Sequence, residues 1–167
     1  MKISVFTPVH KRNYEYLLEL YNSLRTQTGA LHEWIILLNG EAYDWALSTL
    51  FDWPGWVQFH RSKSSGIGAL KGECCALATG DILVEVDYDD MLAPEALEEI
   101  SNAFLLDNVQ CVYSNWVEFL ENGGSNVYDR KYGWRSRPCE DIPEKTQMEA
   151  FPAEAHYLRR IEWAPNH

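Results

Sequence analysis

Three acids, Asp87, Asp89 and Asp90, stand close together directly after a short apolar run, Ile82, Leu83, Val84 and Val86. The β-branched residues predict a strand buried in a sheet, carrying the acids at its carboxyl end. Carboxylates at such spacing oppose one another's ionisation, so folding gains little from the cluster. A divalent cation with oxygen ligands, or an anionic ligand carried by one, offsets that repulsion. In open α/β sheets ligands bind in the crevice beyond the carboxyl ends of the strands, which is where this strand delivers its acids. A structural use competes with this one, because Asp favours turns, and Asp90, ahead of Ala93 and Pro94, is suited to capping the next helix. The spacing therefore points to cation or ligand binding for Asp87 and Asp89, and to a cap for Asp90.

The elements that must position these acids alternate in period. Ile3 to Val9 has the look of a first strand, ended by Thr7-Pro8 because proline cannot donate to a ladder. Leu17, Leu18, Leu20, Tyr21 and Leu24 recur at helical spacing from Tyr14 to about Gln27. Glu33 to Leu38 is a second buried strand closed by Asn39-Gly40, which completes a right-handed βαβ unit. A helix over Glu41 to Leu50, a short strand from Val57 to His60 and a helix running through Ala76 and Ala78 to Gly80 lead into the acidic strand. Pro94 heads a helix to Leu106, with Ala96, Leu97, Ile100, Phe104 and Leu105 on its apolar face. Val109 to Leu120 predicts one strand, and Ser125 to Asp129 the return of a hairpin. Residues 131–155 hold no steady period and predict irregular structure with one short helix at most. The fold class expected is α/β: a mostly parallel, Rossmann-like sheet flanked by helices, with a β-hairpin and an irregular C-terminal segment. Residues 1–120 form the core, and residues 121–167 the hairpin return and the start of a further region whose completeness the residues leave open.

Composition narrows the partners. A chain of 167 residues with 46% hydrophobic and 23% charged residues is globular and long enough for one core. A net charge of -11 leaves no basic stripe for nucleic acid, so a bound phosphate requires a metal or backbone amides. Cys74, Cys75, Cys111 and Cys139 show neither a disulfide framework nor zinc spacing, which fits reduced thiols in the cytoplasm. MKISVFTPVH lacks the apolar region of a signal peptide, and no run reaches the length of a membrane span. Attachment to a membrane surface through another segment stays open. The histidines, His10 and His60 among them, show no metal-ligand spacing. Gly66-Ile67-Gly68 before a helix is suited to cradling a phosphate or to a tight turn. Trp53 and Trp56, around Pro54-Gly55, are read as core cover in preference to a sugar platform. Trp116 and Trp134 are better candidates for a ligand-facing surface.

Four stretches, ISVFTPVHKR, LLELYNSLRTQT, GIGALKGECCALATGD and VDYDDMLAPEAL, occur in the order and spacing of the nucleotide-binding half of family 2 glycosyltransferases, which the chain resembles over about its first 110 residues. The resemblance implies the GT-A fold and a nucleotide-diphosphate sugar donor. It implies that Thr7, Pro8 and Val9 line the base pocket, that Asp87 lies near the ribose beside Tyr88, and that Asp89 binds Mn²⁺ or Mg²⁺ bridging the two phosphates. Lys71 occupies the place where the family usually has a basic residue, although Gly72 replaces the usual Asn and Cys74 a usual glycine. Asn39-Gly40 stands where many members carry an acidic pair, which puts the base in doubt.

The activity expected is sugar transfer to a glycan, lipid or protein hydroxyl, inverting and metal-dependent. The alternative is a domain that binds the nucleotide sugar without turnover by itself. The catalytic base is not identified; Glu140 and Asp141 come too early and read as a solvated loop. A phosphoacceptor response regulator also clusters acids, but the Thr-Pro strand end, the Gln-Thr helix and the lack of a suitably placed late lysine count against it.

Overall fold

The computed structural model describes residues 1–10, 14–40, 42, 52–64, 66–106, 109–114, 116–119, 125–128 and 148–150. The helix expected over Glu41 to Leu50 lies outside these residues apart from the buried Ala42, as do Trp134, Cys139, Glu140 and Asp141. The chain divides into two units, one built on Met1–Ser101 and the other on Asn102–Pro165.

The first unit is an α/β sheet of four parallel strands. Strands β1 (Ile3–Val9), β2 (Leu31–Asn39), β3 (Val57–Ser62) and β4 (Ile82–Glu85) lie in the order β3-β2-β1-β4. Their apolar runs alternate between two covered faces. Phe6, Ile35 and Leu37 pack on Leu70 and Cys74 of helix α2 (Ile67–Leu77). On the opposite face Tyr21 of helix α1 (Tyr14–Arg25) stacks on Trp34 with ring centroids 6.5 Å apart, and Leu17, Leu20 and Leu24 are buried. Each such leucine stabilises the fold by about 1.5–3 kcal/mol.

Two polar side chains inside this core are held by each other. Buried Glu33 accepts hydrogen bonds at Oε1 from Ser4 Oγ (2.6 Å), Thr79 N (2.7 Å) and Thr79 Oγ1 (2.8 Å), and at Oε2 from Gln58 Nε2 (2.9 Å). Ser4 Oγ in turn accepts from Gly80 N at 2.8 Å. This network stops α2 three residues before the expected Gly80: Ala78 is extended (φ -67, ψ 140), and Thr79 turns its N–H to Glu33. Gly80 then lies flat on β1, where a Cβ would meet Ser4 Oγ at 2.6 Å, Ser4 N at 2.8 Å and Lys2 O at 2.9 Å. Two of those atoms are backbone and cannot yield cheaply, so Gly80→Ala is expected to lower stability by about 1–3 kcal/mol, read as a lower denaturation midpoint at an unchanged m-value.

Two expectations need correction. β4 is not buried on both faces: it pairs only with β1 among the described residues, and Leu83 is 44% exposed. Helix α3 (Ala96–Ala103) is shorter than the span from Pro94 to Leu106. It ends in turns in which Leu105 N and Leu106 N bond back three residues to Asn102 O and Ala103 O, leaving Leu105 72% exposed instead of on an apolar face.

In the second unit the run from Val109 to Leu120 holds two strands, β5 (Val112–Ser114) and β6 (Trp116–Phe119). β6 forms an antiparallel hairpin with β7 (Ser125–Tyr128). β5 pairs antiparallel with β8 (Met148–Ala150), a strand in the stretch expected to be irregular. Among the described residues, no helix is long and apolar enough to cross a membrane, and Cys74, Cys75 and Cys111 are free thiols.

Candidate active site

The strand order reverses beside β1. From β1 the chain steps to β2 and β3 on one side, then crosses to β4 on the other. Such a switch point opens a crevice beyond the carboxyl ends of the two strands, here Thr7-Pro8-Val9 of β1 and Asp87 to Asp90 after β4. Val86 N bonds Phe6 O at 3.1 Å, which carries the pairing of β4 with β1 to the edge of the acidic turn. Asp90 N then closes that turn on Asp87 O at 3.1 Å.

Tyr88 anchors the turn. It is buried, with the His10 ring edge-on at 5.9 Å and the Tyr16 ring at 6.5 Å. Burial, followed by repulsion from Asp89, Tyr16 and Asp87, holds its hydroxyl above the usual tyrosine range, so it stays protonated. Asp87 is half-buried and Asp89 exposed, one on each side of this anchor. Among the described residues, no three His, Cys, Asp or Glu side chains are placed to hold one metal ion, so Asp87, Asp89 and Asp90 do not converge as a three-carboxylate site. One or two hard oxygen donors remain. That donor set fits a hard divalent cation such as Mg²⁺ or Mn²⁺ that keeps ligands from outside the protein, and does not fit an all-protein cage.

Of the other residues singled out in the sequence, Thr7, Pro8, Val9 and Asn39 lie toward the carboxyl ends of β1 and β2, whereas Trp53 and Trp56 precede the amino end of β3. Thr7, Pro8 and Val9 are buried, and Thr7 Oγ1 accepts a hydrogen bond from Trp34 Nε1 at 2.9 Å. Asn39 ends β2, opposite Ser62 at the end of β3, and Gly40 follows at φ 55, a left-handed conformation suited to glycine. Gly66 caps α2 in an extended conformation, and a Cβ there would meet nothing within 4 Å, so sterics do not demand glycine. Lys71 forms an ion pair with Glu85 of β4, each side chain about a quarter exposed. Trp53 and Trp56 join Tyr21, Trp34 and Phe59 in one aromatic cluster, consistent with core cover.

Sequence reasoning missed Glu33, Glu85 and the bonding of Gln27. Glu33 carried a usable signal, since a lone acid heading an apolar strand must find partners when buried. Glu85 and Gln27 carried none, because their partners lie far away in sequence.

The model of the family described as glycosyl transferase family 2 matches residues 4–159. A comparison with curated proteins finds no match. Among solved structures, residues 1–349 of S. aureus TarS in complex with UDP are similar at 17% identity and TM-score 0.57, over 99% of this chain and 51% of that one. The same protein in complex with UDP-GlcNAc is similar at 23% identity and TM-score 0.51, over 62% of this chain and 31% of that one. A 4-diphosphocytidyl-2C-methyl-D-erythritol synthase from Anaerococcus prevotii is similar at 12% identity and TM-score 0.53, over 75% and 62% respectively. This chain therefore spans less than two thirds of each of these structures, and at these identities the likeness is one of fold. The family match runs from β1 past β8, over a parallel sheet that brings its acids to the switch point, and on that extent the chain belongs to glycosyl transferase family 2.

Proposed function

We propose that this chain binds a nucleotide-diphosphate sugar at the β1–β4 switch point and serves glycosyl transfer from it, with Mn²⁺ or Mg²⁺ as cofactor. The observation that carries the reading is the placement of Asp87 and Asp89 beyond the end of β4, beside the end of β1, with no ion pair to either acid among the described residues. Family membership and the fold shared with a UDP-GlcNAc complex support it.

The chain's own groups divide the work. Asp89, exposed at the tip, contacts the cation, and half-buried Asp87 faces the ribose. The buried side chains of Thr7, Pro8 and Val9 leave the main chain at the end of β1 to meet the base, with Asn39 one strand away. The amides at the start of α2, after Gly66, and Lys71 supply positive character for phosphate, and Lys71 must leave Glu85 to do so. When bound, the cation supplies Lewis-acid stabilisation of the departing diphosphate. Inverting transfer also needs a general base, and no described residue is assigned that role.

A calorimetric titration of UDP, GDP and their sugars, with and without Mn²⁺, tests the reading. It predicts binding that requires the metal; an absence of nucleotide binding in its presence would sink the donor site. One observation favours a second reading, binding without turnover by this chain alone: the chain spans 51% of the TarS structure with UDP to which it is similar. Release of UDP from a UDP-sugar in the presence of varied acceptors separates the two, since only the first reading predicts it.

A further inference from the structure

The residues that follow the acidic turn are bonded to the end of α1. Leu92 N donates to Ser23 Oγ at 3.3 Å, and Gln27 Nε2 donates to Ala93 O at 2.8 Å. Thr28 N donates to Pro94 O at 3.0 Å, and Leu97 N donates to Gln27 Oε1 at 3.0 Å. Thr28 Oγ1 adds a bond to Glu98 Oε2 at 2.8 Å. Gly29 permits the close approach, since a Cβ there would lie 2.5 Å from Glu98 N and 2.6 Å from Leu97 C. Four main-chain groups of residues 92–97 thus take partners from residues 23–28. Ser23 Oγ is itself fixed by donating to Leu20 O at 2.8 Å, and Gln27 Nε2 also donates to Ser23 O at 3.1 Å.

From this geometry we infer that Gln27 is a positioning residue for the cation site. The acidic turn is tied at its first end, where Val86 N meets Phe6 O, and at its far end through Gln27 and Ser23. Asp89 makes no ion pair of its own among the described residues, so the main chain that carries its carboxylate is held by these two ties together with buried Tyr88 and the Asp90 N bond to Asp87 O. Gln27 is the centre of the second, because its amide accepts from one side of the bend and donates to the other. With the tie cut, the turn samples other arrangements, and apparent cation affinity falls by the fraction of time the competent one is lost.

The inference rests on the donor-site reading, and the test separates the two. Three forms of the full chain are compared: unaltered, Gln27→Leu, which keeps bulk and removes both polar ends, and Gln27→Glu, which keeps the acceptor for Leu97 N and loses the donor to Ala93 O. The Mn²⁺ concentration giving half-maximal UDP binding is expected to rise about tenfold in Gln27→Leu and by less in Gln27→Glu. Saturating Mn²⁺ should restore the unaltered UDP affinity in both. Amide exchange at residues 89–92 should quicken in Gln27→Leu relative to β1 and β2. A lower melting temperature with an unchanged Mn²⁺ midpoint would reduce Gln27 to a structural residue and overturn the inference alone. Failure of the unaltered chain to bind UDP with Mn²⁺ would overturn the donor-site reading and the inference with it. Should Gln27→Leu fail to fold, Gln27→Glu decides by the same midpoint: a shift supports the inference and no shift overturns it.

Discussion

Asp89→Ala is expected to weaken Mn²⁺-supported UDP binding by about a hundredfold, close to 2.7 kcal/mol, and to leave the melting temperature unchanged. The two halves of that expectation have one origin. Asp89 is exposed and makes no ion pair among the described residues, so the folded state does not depend on its carboxylate. A cation held by one or two protein oxygens, by contrast, loses much of its protein ligation when one is removed. Asp87→Ala should be the milder change for the metal, because that half-buried side chain is assigned to the ribose. Titration of each variant with UDP at fixed Mn²⁺ reads both effects, and equal binding by Asp89→Ala and the unaltered chain would remove Asp89 from the site.

Glu33→Ala is expected to destabilise the first unit by about 3 kcal/mol, because hydrogen bonds to a charged group each contribute more than neutral ones and Thr79 N is left without its acceptor. Glu33→Gln should cost less, since one carbonyl oxygen can still serve Ser4 and Thr79 while Gln58 turns its own amide to suit. The same residue predicts a pH dependence. Burial pushes the Glu33 carboxyl up, but hydrogen bonds from Ser4 and Thr79, with His32 nearby, outweigh it and hold the carboxyl below its ordinary value. The unfolded chain therefore binds more protons there, and the contribution is complete above an unfolded carboxyl pKa of about 4.3. It is lost as pH falls through the lower folded value. Denaturation midpoints measured from pH 6 to pH 3 should fall for the unaltered chain more steeply than for Glu33→Gln, which has no carboxyl to protonate.

Much of the fold was legible because its signals are local. Ile3 to Val9 and Trp34 to Leu38 are buried along their whole length, so β2 appears as an unbroken apolar run and β1 as one interrupted by Ser4 and Thr7, and Leu17, Leu20 and Leu24 mark α1 by period alone. The acids are legible because they follow a strand directly. What was not legible depends on residues far apart in the chain. The exposure of Leu83 depends on what covers that face of β4, and the commitment of Lys71 to Glu85 on α2 packing over β1, the strand next to β4. The early end of α2 is dictated by Glu33, 46 residues from Thr79, and no helical period records that. β8 is three residues long and is defined by its pairing with β5, which no window of sequence contains. The motifs behind the family resemblance were visible as patterns, but their physical tasks were not: Thr79-Gly80 closes the network under β1, and Gln27-Thr28 ties the bend after the acids.

The position of the cation itself tests the donor-site reading most directly. Crystals of the chain grown with UDP and Mn²⁺, measured near the manganese absorption edge, should show one anomalous peak within about 2.3 Å of an Asp89 carboxylate oxygen and of a phosphate oxygen, a contact length suited to an oxygen-bound divalent ion. UDP ordered at the ends of β1 and β4 with no such peak, or a peak held by other residues away from that rim, would contradict it.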